Sequence, residues 1–363
     1  MLKKAHDNRP AFTHYTSGKY SVKSMFPERY RLMTSAQRKA HDASFAFLSN
    51  NLAKIDKEIY KPLLNITYVE DAKGCIEVGN ELVDAVEFYS SDYTGLADTV
   101  NNIFGAKGDI IPRVTGGLIQ GRLPVYNFEL AYEFKFVELE KLANKNTPFA
   151  IEQVYLDMVN AGWDLFVNRI FYTGIGGEGG LLNHSAVKVY TLPGITSSNI
   201  HTVDDAVLIA AFNTMIKNHL VATNYNINTL PDRVIVPTAI AETLANRVSP
   251  MYTDYLINFL STHNLATATA RANGIEGHRL EIVGRAQADD LGVADKGRLT
   301  LYKRDIKFLK LHIPFDFKSF HTAPDMTSMA YVTLFVGQVA QVQLPYNESS
   351  DTHGAVSYYD LAS

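Results

Sequence analysis

Hydrophobic residues recur at three- and four-residue steps through the segment that begins at Thr147. The apolar positions are Ile151, Val154, Tyr155, Met158, Gly162, Leu165, Phe166 and Ile170. Polar residues fill the opposite face: Gln153, Asp157, Asn160, Asp164 and Asn168. Thr147 offers an N-cap hydroxyl, and Pro148 suits the first helical position. The pattern predicts a long amphipathic helix, a spine over residues 148–172, of about seven turns.

Five glycines follow this helix: Gly174, Gly176, Gly177, Gly179 and Gly180. They match GxGxxG, but the dinucleotide-binding motif follows a strand and opens a helix, whereas here a helix comes first. We therefore interpret the glycines as a helix stop that uses positive φ, and we predict a hinge there. A nucleotide site over Gly174–Gly179 is the alternative.

The segment before the spine has strand character, with a long interruption. Strands are predicted at 66–69, 75–78, 85–89 and 125–137. Residues 90–124 between the last two are glycine-rich and lack apolar periodicity, which predicts an extended loop. This loop carries four charged residues that we expect to meet another subunit: Lys107, Asp109, Arg113 and Arg122.

The segment after the glycines alternates helices and strands. We predict a helix capped by Thr202, a buried strand at 233–236, a helix from Pro237–Thr238 to Asn246, a helix at 253–260, and strands at 280–283 and 299–302. Strands at 306–313 and 331–344 then leave this region. The last is apolar and needs a cover, so we expect it to pair beside the spine helix. Residues 187–305 are therefore predicted to be an insertion.

Composition places the chain among globular proteins. Its 363 residues are 46% hydrophobic and 20% charged, and only one is cysteine, Cys75, which excludes internal disulfides. No apolar run approaches a membrane span, and we expect no membrane partner. Residues 1–61 hold twelve Lys and Arg against five Asp and Glu, so a basic arm precedes an acidic body.

Signals for catalysis or metal binding do not stand out. The histidines are too dispersed to form a ligand set, and HExxH, GxSxG and GxxxxGK[ST] do not occur. We therefore expect no catalytic residues, no metal and no cofactor.

The order of parts resembles a known family. A spine helix leads into Gly180-Leu181-Leu182-Asn183. An inserted α/β region contains Arg233-Val234-Ile235-Val236-Pro237, and a closing strand follows at 331–344. This order is similar to the major capsid proteins of tailed bacteriophages, the Hong Kong 97-type fold that encapsulin shells share.

The resemblance implies an α+β fold with five parts. They are an N-terminal arm with a helix (1–65), strands with an extended β-hairpin loop (66–137, loop about 90–124), a peripheral domain with the spine helix (138–186 and 306–345), an axial α/β domain (187–305) and a C-terminal tail (346–363).

It also implies a function and partners. Copies would assemble as pentamers and hexamers into an icosahedral shell around double-stranded DNA, with nonspecific DNA contact, in the cytoplasm of a bacterial host. A separate scaffolding protein, a portal and decoration proteins are the expected partners, and the virion is the expected location. An encapsulin-like nanocompartment is the first alternative, and a nucleotide-binding enzyme is the second.

Overall fold

The computed structural model describes residues 63–94, 115–135, 151–177, 179–196, 199–248, 254–292, 296–325, 329–347 and 352–362. All of them belong to one unit, Leu63–Ser363. Several predicted features lie outside the described residues. They are residues 1–62 of the arm, the helix start at Thr147-Pro148, and Lys107, Asp109 and Arg113.

Within these ranges helices and strands alternate along the chain. In order they are α1 Tyr68–Asp71, β1 Ile76–Val78, β2 Ala85–Thr94, β3 Thr115–Lys135, α2 Ile151–Thr173, β4 Val189–Thr196, α3 Asp205–Ala222, β5 Arg233–Val236, α4 Thr238–Asn246, α5 Leu256–Thr262, α6 Leu265–Ala272, β6 Glu281–Gly284, β7 Arg298–Tyr302, β8 Leu311–Ile313, β9 Phe315–Asp325, β10 Ala330–Ala340, β11 Tyr346–Asn347, β12 Thr352–His353 and β13 Val356–Ala362. The mixture of helices and strands agrees with the predicted class.

The spine helix α2 packs on a sheet in the strand order β2-β3-β10-β9. β3 is long enough to pair twice: residues 115–124 pair with β2, and residues 125–135 pair with β10. Aromatic rings join sheet and helix, and Phe128 of β3 contacts Trp163 and Phe166 of α2 at centroid distances of 5.7 and 4.9 Å. The predicted pairing of the 331–344 strand beside the spine is thereby confirmed.

A second sheet has the order β4-β13-β7-β5-β6, and its three central strands are buried on both faces. Val234, Leu301 and Tyr359 of this sheet join a core with the helices α3 to α6. The alternate residues Ile235, Tyr302 and Tyr358 join a second core with the end of α2 and the chain after β10. Continuous apolar strands are expected where both faces are covered, as in the fully buried β5.

The C-terminal residues differ from the predicted tail. Val356–Ala362 form β13, which lies inside the second sheet, parallel to β4 and antiparallel to β7. The sheet of the inserted region therefore contains a strand from the end of the chain. The strand lies more than fifty residues beyond β7, so local sequence does not indicate its partners.

The predicted strand at 66–69 is wrong, because Tyr68–Asp71 form a helical turn. The backbone N–H groups of Thr67 and Tyr68 both donate to Asn168 Oδ1, at 3.0 and 3.1 Å. These contacts outweigh the strand preference of a β-branched run. They also bury Asn168, which the helical pattern had placed on the polar face.

The predicted loop at 90–124 is too long, because β2 continues to Thr94 and β3 begins at Thr115. Its glycines suggested a loop, yet one of them fits a strand: a Cβ on Gly121 would lie 2.2 Å from Cζ of Phe88, the residue opposite it. The Phe88 ring lies over Gly121 and occupies the space that a side chain at this position would need.

Three smaller predictions also need correction. Asp205 begins α3, and Thr202 is not its cap, because the Thr202 hydroxyl donates to the Asn199 carbonyl at 3.1 Å. The helix predicted at 253–260 is α5, Leu256–Thr262, and a further helix α6 follows it. Only Leu311–Ile313 of the run 306–313 is a strand. The residues before this strand form a turn, because the Asp305 carbonyl accepts from the N–H groups of Phe308 and Leu309.

Candidate functional site

The β2–β3 hairpin is the most extended feature of the described residues. Ten residue pairs join it, from Ala85 opposite Pro124 to Thr94 opposite Thr115. The predicted contact residue Arg122 is exposed on β3, opposite Glu87, and Gln120 donates to Glu87 at 2.9 Å. A two-stranded ribbon of this length buries little surface and gains stability from whatever it packs against.

A short segment that we call the strap, residues 79–84, leads into this hairpin across the first sheet. The N–H groups of Gly79 and Glu81 donate to the Ile313 and Pro314 carbonyls at 2.7 and 2.9 Å. Asn80 forms an isolated bridge with Phe315 of β9, and Ala85 then pairs with Pro124 of β3.

Gln338 of β10 holds the strap at Val83. Its Oε1 accepts from the Val83 N–H at 3.0 Å, and its Nε2 donates to the Val83 carbonyl at 3.1 Å and to Asn127 Oδ1 at 2.7 Å. The side chain is buried. The strap thus touches β9 and then β10 before the hairpin begins.

The glycine turn after α2 folds back on the helix. Gly174, Gly176 and Gly177 have φ of 70°, 73° and 90°, the left-handed conformation expected at a helix stop. The N–H groups of Leu181 and Leu182 then donate to the carbonyls of Phe171 and Tyr172 at 2.7 and 3.0 Å. The helix carbonyls that lack partners within α2 are satisfied in this way.

The last two glycines are required by close backbone contacts. A Cβ on Gly179 would lie 2.6 Å from the Asn183 carbonyl oxygen, and one on Gly180 would lie 2.5 Å from the Tyr172 carbonyl carbon. Asn183 completes the turn: its Oδ1 accepts from Gly180 N at 2.7 Å and its Nδ2 donates to the Thr173 carbonyl at 3.0 Å. The hinge at Gly174, Gly176, Gly177, Gly179 and Gly180 stays a prediction.

This geometry does not suit the nucleotide alternative. The amides of Gly180, Leu181 and Leu182 bind groups of the chain itself, whereas a phosphate site needs amides that face a ligand. The glycines also follow the C-terminal end of α2, whose dipole repels an anion.

A buried ionic cluster, which sequence reasoning missed, joins α1 and the spine helix to the second sheet. We call it the Asp71 cluster: Asp71, Tyr172, Arg233, Arg285 and Tyr302. The Asp71 carboxylate accepts from Arg233 and Tyr172, and from Arg285 Nε and Nη2 at 2.8 and 3.0 Å. The Tyr302 hydroxyl donates to the Asp71 carbonyl at 2.9 Å. Asp71 is fully buried, so the cluster fixes α1 between α2 and the second sheet.

The protonation states within the cluster follow from these contacts. Burial alone would raise the pKa of Asp71, but the hydrogen bonds from Arg285 and Tyr172 and the charges of Arg233 and Arg285 outweigh it and lower that pKa. Burial, together with the Asp71 charge, raises the pKa of Tyr172 and of Tyr302 well above the usual value, so both stay protonated. The sequence offered no signal for this role, because Asp71 stands among polar residues that predict a turn and its partners lie more than 100 residues away.

The described residues contain no group of three or more His, Cys, Asp and Glu side chains placed to hold a metal ion. A search of the helices in the same ranges finds none with the length and apolar character needed to span a membrane.

The sequence profile of the family described as "Major capsid protein" matches residues 100–351, more than half of the chain. The chain belongs to the major capsid protein family. It is a structural component of a virion, and such a protein associates with copies of itself to form a shell. No protein in the curated set matches the sequence.

Solved structures show the same fold. The chain is similar to the capsid protein of Myoviridae phage XM1, at a TM-score of 0.59 and 16% identity over 86% of this chain and 98% of that one. It is similar to a native GTA particle capsid protein, at 0.54 and 10% identity over 88% and 99%. It also matches a Mycobacterium phage Adephagia chain, at 0.52 and 10% identity over 88% and 97%.

These findings confirm the resemblance to phage capsid proteins of the Hong Kong 97 type. They favour a capsid protein over both alternatives, the encapsulin-like compartment and the nucleotide-binding enzyme. Membership of a structural family also accords with the expectation that the protein is not an enzyme.

Proposed function

We propose that copies of this major capsid protein assemble as pentamers and hexamers into an icosahedral shell that encloses double-stranded DNA. The observation that carries the proposal is the family match over residues 100–351, because it includes the spine helix and every strand from β3 to β10. Assembly takes place in the cytoplasm of the bacterial host, and the product is the virion capsid.

The hairpin supplies the contact between subunits in this proposal. Lys107, Asp109 and Arg113 lie in the sequence between β2 and β3, and Arg122 is exposed along the ladder. A ribbon that gains burial only against a neighbour makes stability depend on assembly. The charged residues give that contact its polar component.

The remaining parts follow the Hong Kong 97-type division. The arm (1–65) precedes the hairpin region (66–137), the peripheral domain combines 138–186 with 306–345, and the axial domain (187–305) meets its copies at the symmetry axes. We add Val356–Ala362 of the former tail to the axial domain, because β13 lies in that sheet.

Other partners are inferred from the same assembly. A separate scaffolding protein guides the shell, a portal occupies one vertex, and decoration proteins bind outside. Contact with DNA is nonspecific, because residues 62–363 hold 22 Lys and Arg against 33 Asp and Glu and so disfavour tight binding to phosphates.

Removal of the hairpin tip tests the role of the hairpin. A chain in which Asn-Gly replaces residues 95–114 keeps the whole β2–β3 ladder and closes it with a two-residue turn, so its body should fold and stay soluble. We expect the same melting temperature as the full chain before assembly, and no shells by sedimentation velocity and electron microscopy. Intact shells from this deletion would contradict the proposed contact.

A further inference from the structure

Val83 is held by a side chain where a strand partner would otherwise be needed. Its N–H and its carbonyl both bind the carboxamide of Gln338, at 3.0 and 3.1 Å. Only one orientation of the amide serves both groups, because Oε1 accepts and Nε2 donates. A two-point contact of this kind fixes the rotation of the strap as well as its position.

The contact between Gln338 and Val83 lies just before the hairpin begins, where a small change in the direction of the chain is amplified along the hairpin. Ala85, two residues beyond Val83, begins the ladder with β3. Ten strand residues at about 3.3 Å each make the hairpin about 33 Å long, so a tilt of about 10° at its root shifts its end by about 6 Å. That shift exceeds the length of a hydrogen bond, so contacts at the tip would be lost.

The surroundings of Gln338 keep it rigid. The side chain is 5% exposed, and its second N–H donates to Asn127 Oδ1 of the adjacent strand at 2.7 Å. The backbones of Gln338 and Asn127 are partners in the β10–β3 ladder. At the other end of the strap, Gly79 lies so close to β9 that a Cβ would be 2.7 Å from the Pro314 carbonyl oxygen.

We propose that Gln338 is a positioning residue for assembly: its buried carboxamide fixes the direction in which the β2–β3 hairpin leaves the body, and thereby the place where the hairpin meets a second copy of this chain. The proposal rests on the proposed function for its consequence, shell formation. The direction of the hairpin is a property of the single subunit and can be measured separately.

The variant Gln338→Leu tests the proposal because it keeps the volume and removes all three hydrogen bonds. Gln343→Leu is the matched control: Gln343 is also buried, but its amide oxygen accepts from His312 Nε2 at 2.6 Å and does not touch the strap. We expect both variants to lower the melting temperature of the unassembled protein by similar amounts. Only Gln338→Leu should raise the concentration needed for assembly, by about tenfold or more.

A distance measurement reads the direction of the hairpin without assembly. Spin labels at Asp92→Cys on β2 and Lys217→Cys on α3 can be attached selectively, because the native Cys75 is buried. We expect one narrow distance distribution in the parent and the Gln343→Leu chain, and a broad or shifted one in Gln338→Leu. Gly79→Ala, which forces the strap away from Pro314, should give the same change.

The outcomes separate the two proposals. If the parent chain forms no shells but Gln338→Leu broadens the distance distribution, the proposed function fails and the positioning role stands. If the parent forms shells and Gln338→Leu matches it in both assembly and distance, the positioning role is overturned. It is also overturned if Gln338→Leu and Gly79→Ala both fail to fold, because the residue would then serve stability alone.

Discussion

Asp71 shows how one residue can hold distant parts of this chain together. Its carboxylate binds Arg233 of β5, Tyr172 of α2 and Arg285, which follows β6. A buried ion pair of this kind adds little net stability over an apolar replacement, but removal of one partner leaves the other charge buried and unpaired. The cluster therefore makes α1 essential to the junction of the spine helix with the second sheet.

We predict that Asp71→Asn lowers the free energy of unfolding by about 3–5 kcal/mol, because Arg233 loses its buried counter-charge. Glu70→Gln is the matched control: the Glu70 side chain is 70% exposed and pairs with Arg285 at 2.9 Å. An exposed pair contributes about 1 kcal/mol or less. Urea denaturation of the unassembled proteins measures both values, and equal losses would contradict the role given to Asp71.

The pH dependence of stability gives a second prediction for this residue. The folded-state pKa of Asp71 is lowered from its ordinary 3.8, so its contribution is present above that value and is lost as the pH falls through the folded-state pKa. We expect the stability gap between the parent and Asp71→Asn to narrow from neutral pH toward about pH 3.

Other groups that titrate do not disturb this comparison. Burial lowers the pKa of His219 to about 4. As the pH falls below the ordinary value of 6.5, the unfolded chain takes up a proton that the buried ring does not, so the free energy of unfolding decreases. That loss is the same in both proteins and cancels in their difference. Denaturation at a series of pH values measures the gap, and a gap that stays constant down to pH 3 would show that Asp71 is not the group responsible.

The glycine turn belongs to the scale of the elements, because it ends α2 and starts the path to the second sheet. Its glycines are needed for two different reasons. Gly177 has a φ of 90° with nothing within 4 Å of an added Cβ, whereas Gly180 has backbone atoms 2.5 Å from that point.

We predict a ranked pair of effects from this difference. Gly177→Ala should cost about 1–3 kcal/mol of backbone strain. Gly180→Ala should cost more, because the added carbon meets backbone that cannot yield without loss of the hydrogen bonds that fold the turn onto α2. Thermal melts of the two variants give the order, and a milder effect for Gly180→Ala would contradict the described packing.

The C-terminal strand β13 gives a second element-scale case. Tyr358 donates to the Leu181 carbonyl at 2.6 Å, Tyr359 donates to the Met215 carbonyl at 2.7 Å, and Asp360 pairs with Arg298 at 2.7 Å. One strand thus binds the glycine turn, α3 and β7. Without it, β4 and β7 would each lose a ladder partner inside the sheet.

We predict that a chain ending at Ala355 is insoluble or unfolded. Such a chain lacks β13, so the second sheet opens between β4 and β7 and exposes two strand edges. A chain shortened by Ser363 alone keeps all of β13 and should behave as the parent does. Solubility, circular dichroism and size-exclusion chromatography measure the difference. A soluble, cooperatively folded truncation would contradict the central place of β13.

Elements with local signals could be predicted from the sequence. The helix α2 has a long apolar period, and the β5–α4 unit has a buried run followed by proline and threonine, so both were found. β9 was missed, the glycine-bearing halves of the hairpin were taken for loop, and β13 was taken for tail. For the hairpin and β13 the deciding contact comes from a distant part of the chain, Phe88 opposite Gly121 and β4 and β7 around β13, whereas β9 pairs with the adjacent β10.

The candidate site was predictable only in outline. A charged excursion between strands was expected, and Arg122 is exposed on the hairpin. The strap and its Gln338 contact were not expected, because Val83 and Gln338 are 255 residues apart and neither has a local pattern that marks it. A single buried glutamine in an alternating strand gives no indication of what its side chain binds.

In the part of the chain that the structure describes, the two sheets share a core. Tyr172 of the spine, Val339 of the first sheet and Tyr302 and Tyr358 of the second belong to one buried cluster. The shared core holds the residues from which the hairpin extends in a fixed arrangement. A fixed arrangement suits a subunit that must repeat the same contacts many times. The family match and the solved capsid folds agree with this architecture.

Electron microscopy of the purified protein, expressed alone and with its genomic neighbours, tests the central claim most directly. We predict closed shells built from pentamers and hexamers, alone or when a scaffolding protein is present, with the β2–β3 hairpin of one subunit resting on the next. A uniform small oligomer under every condition would contradict the account.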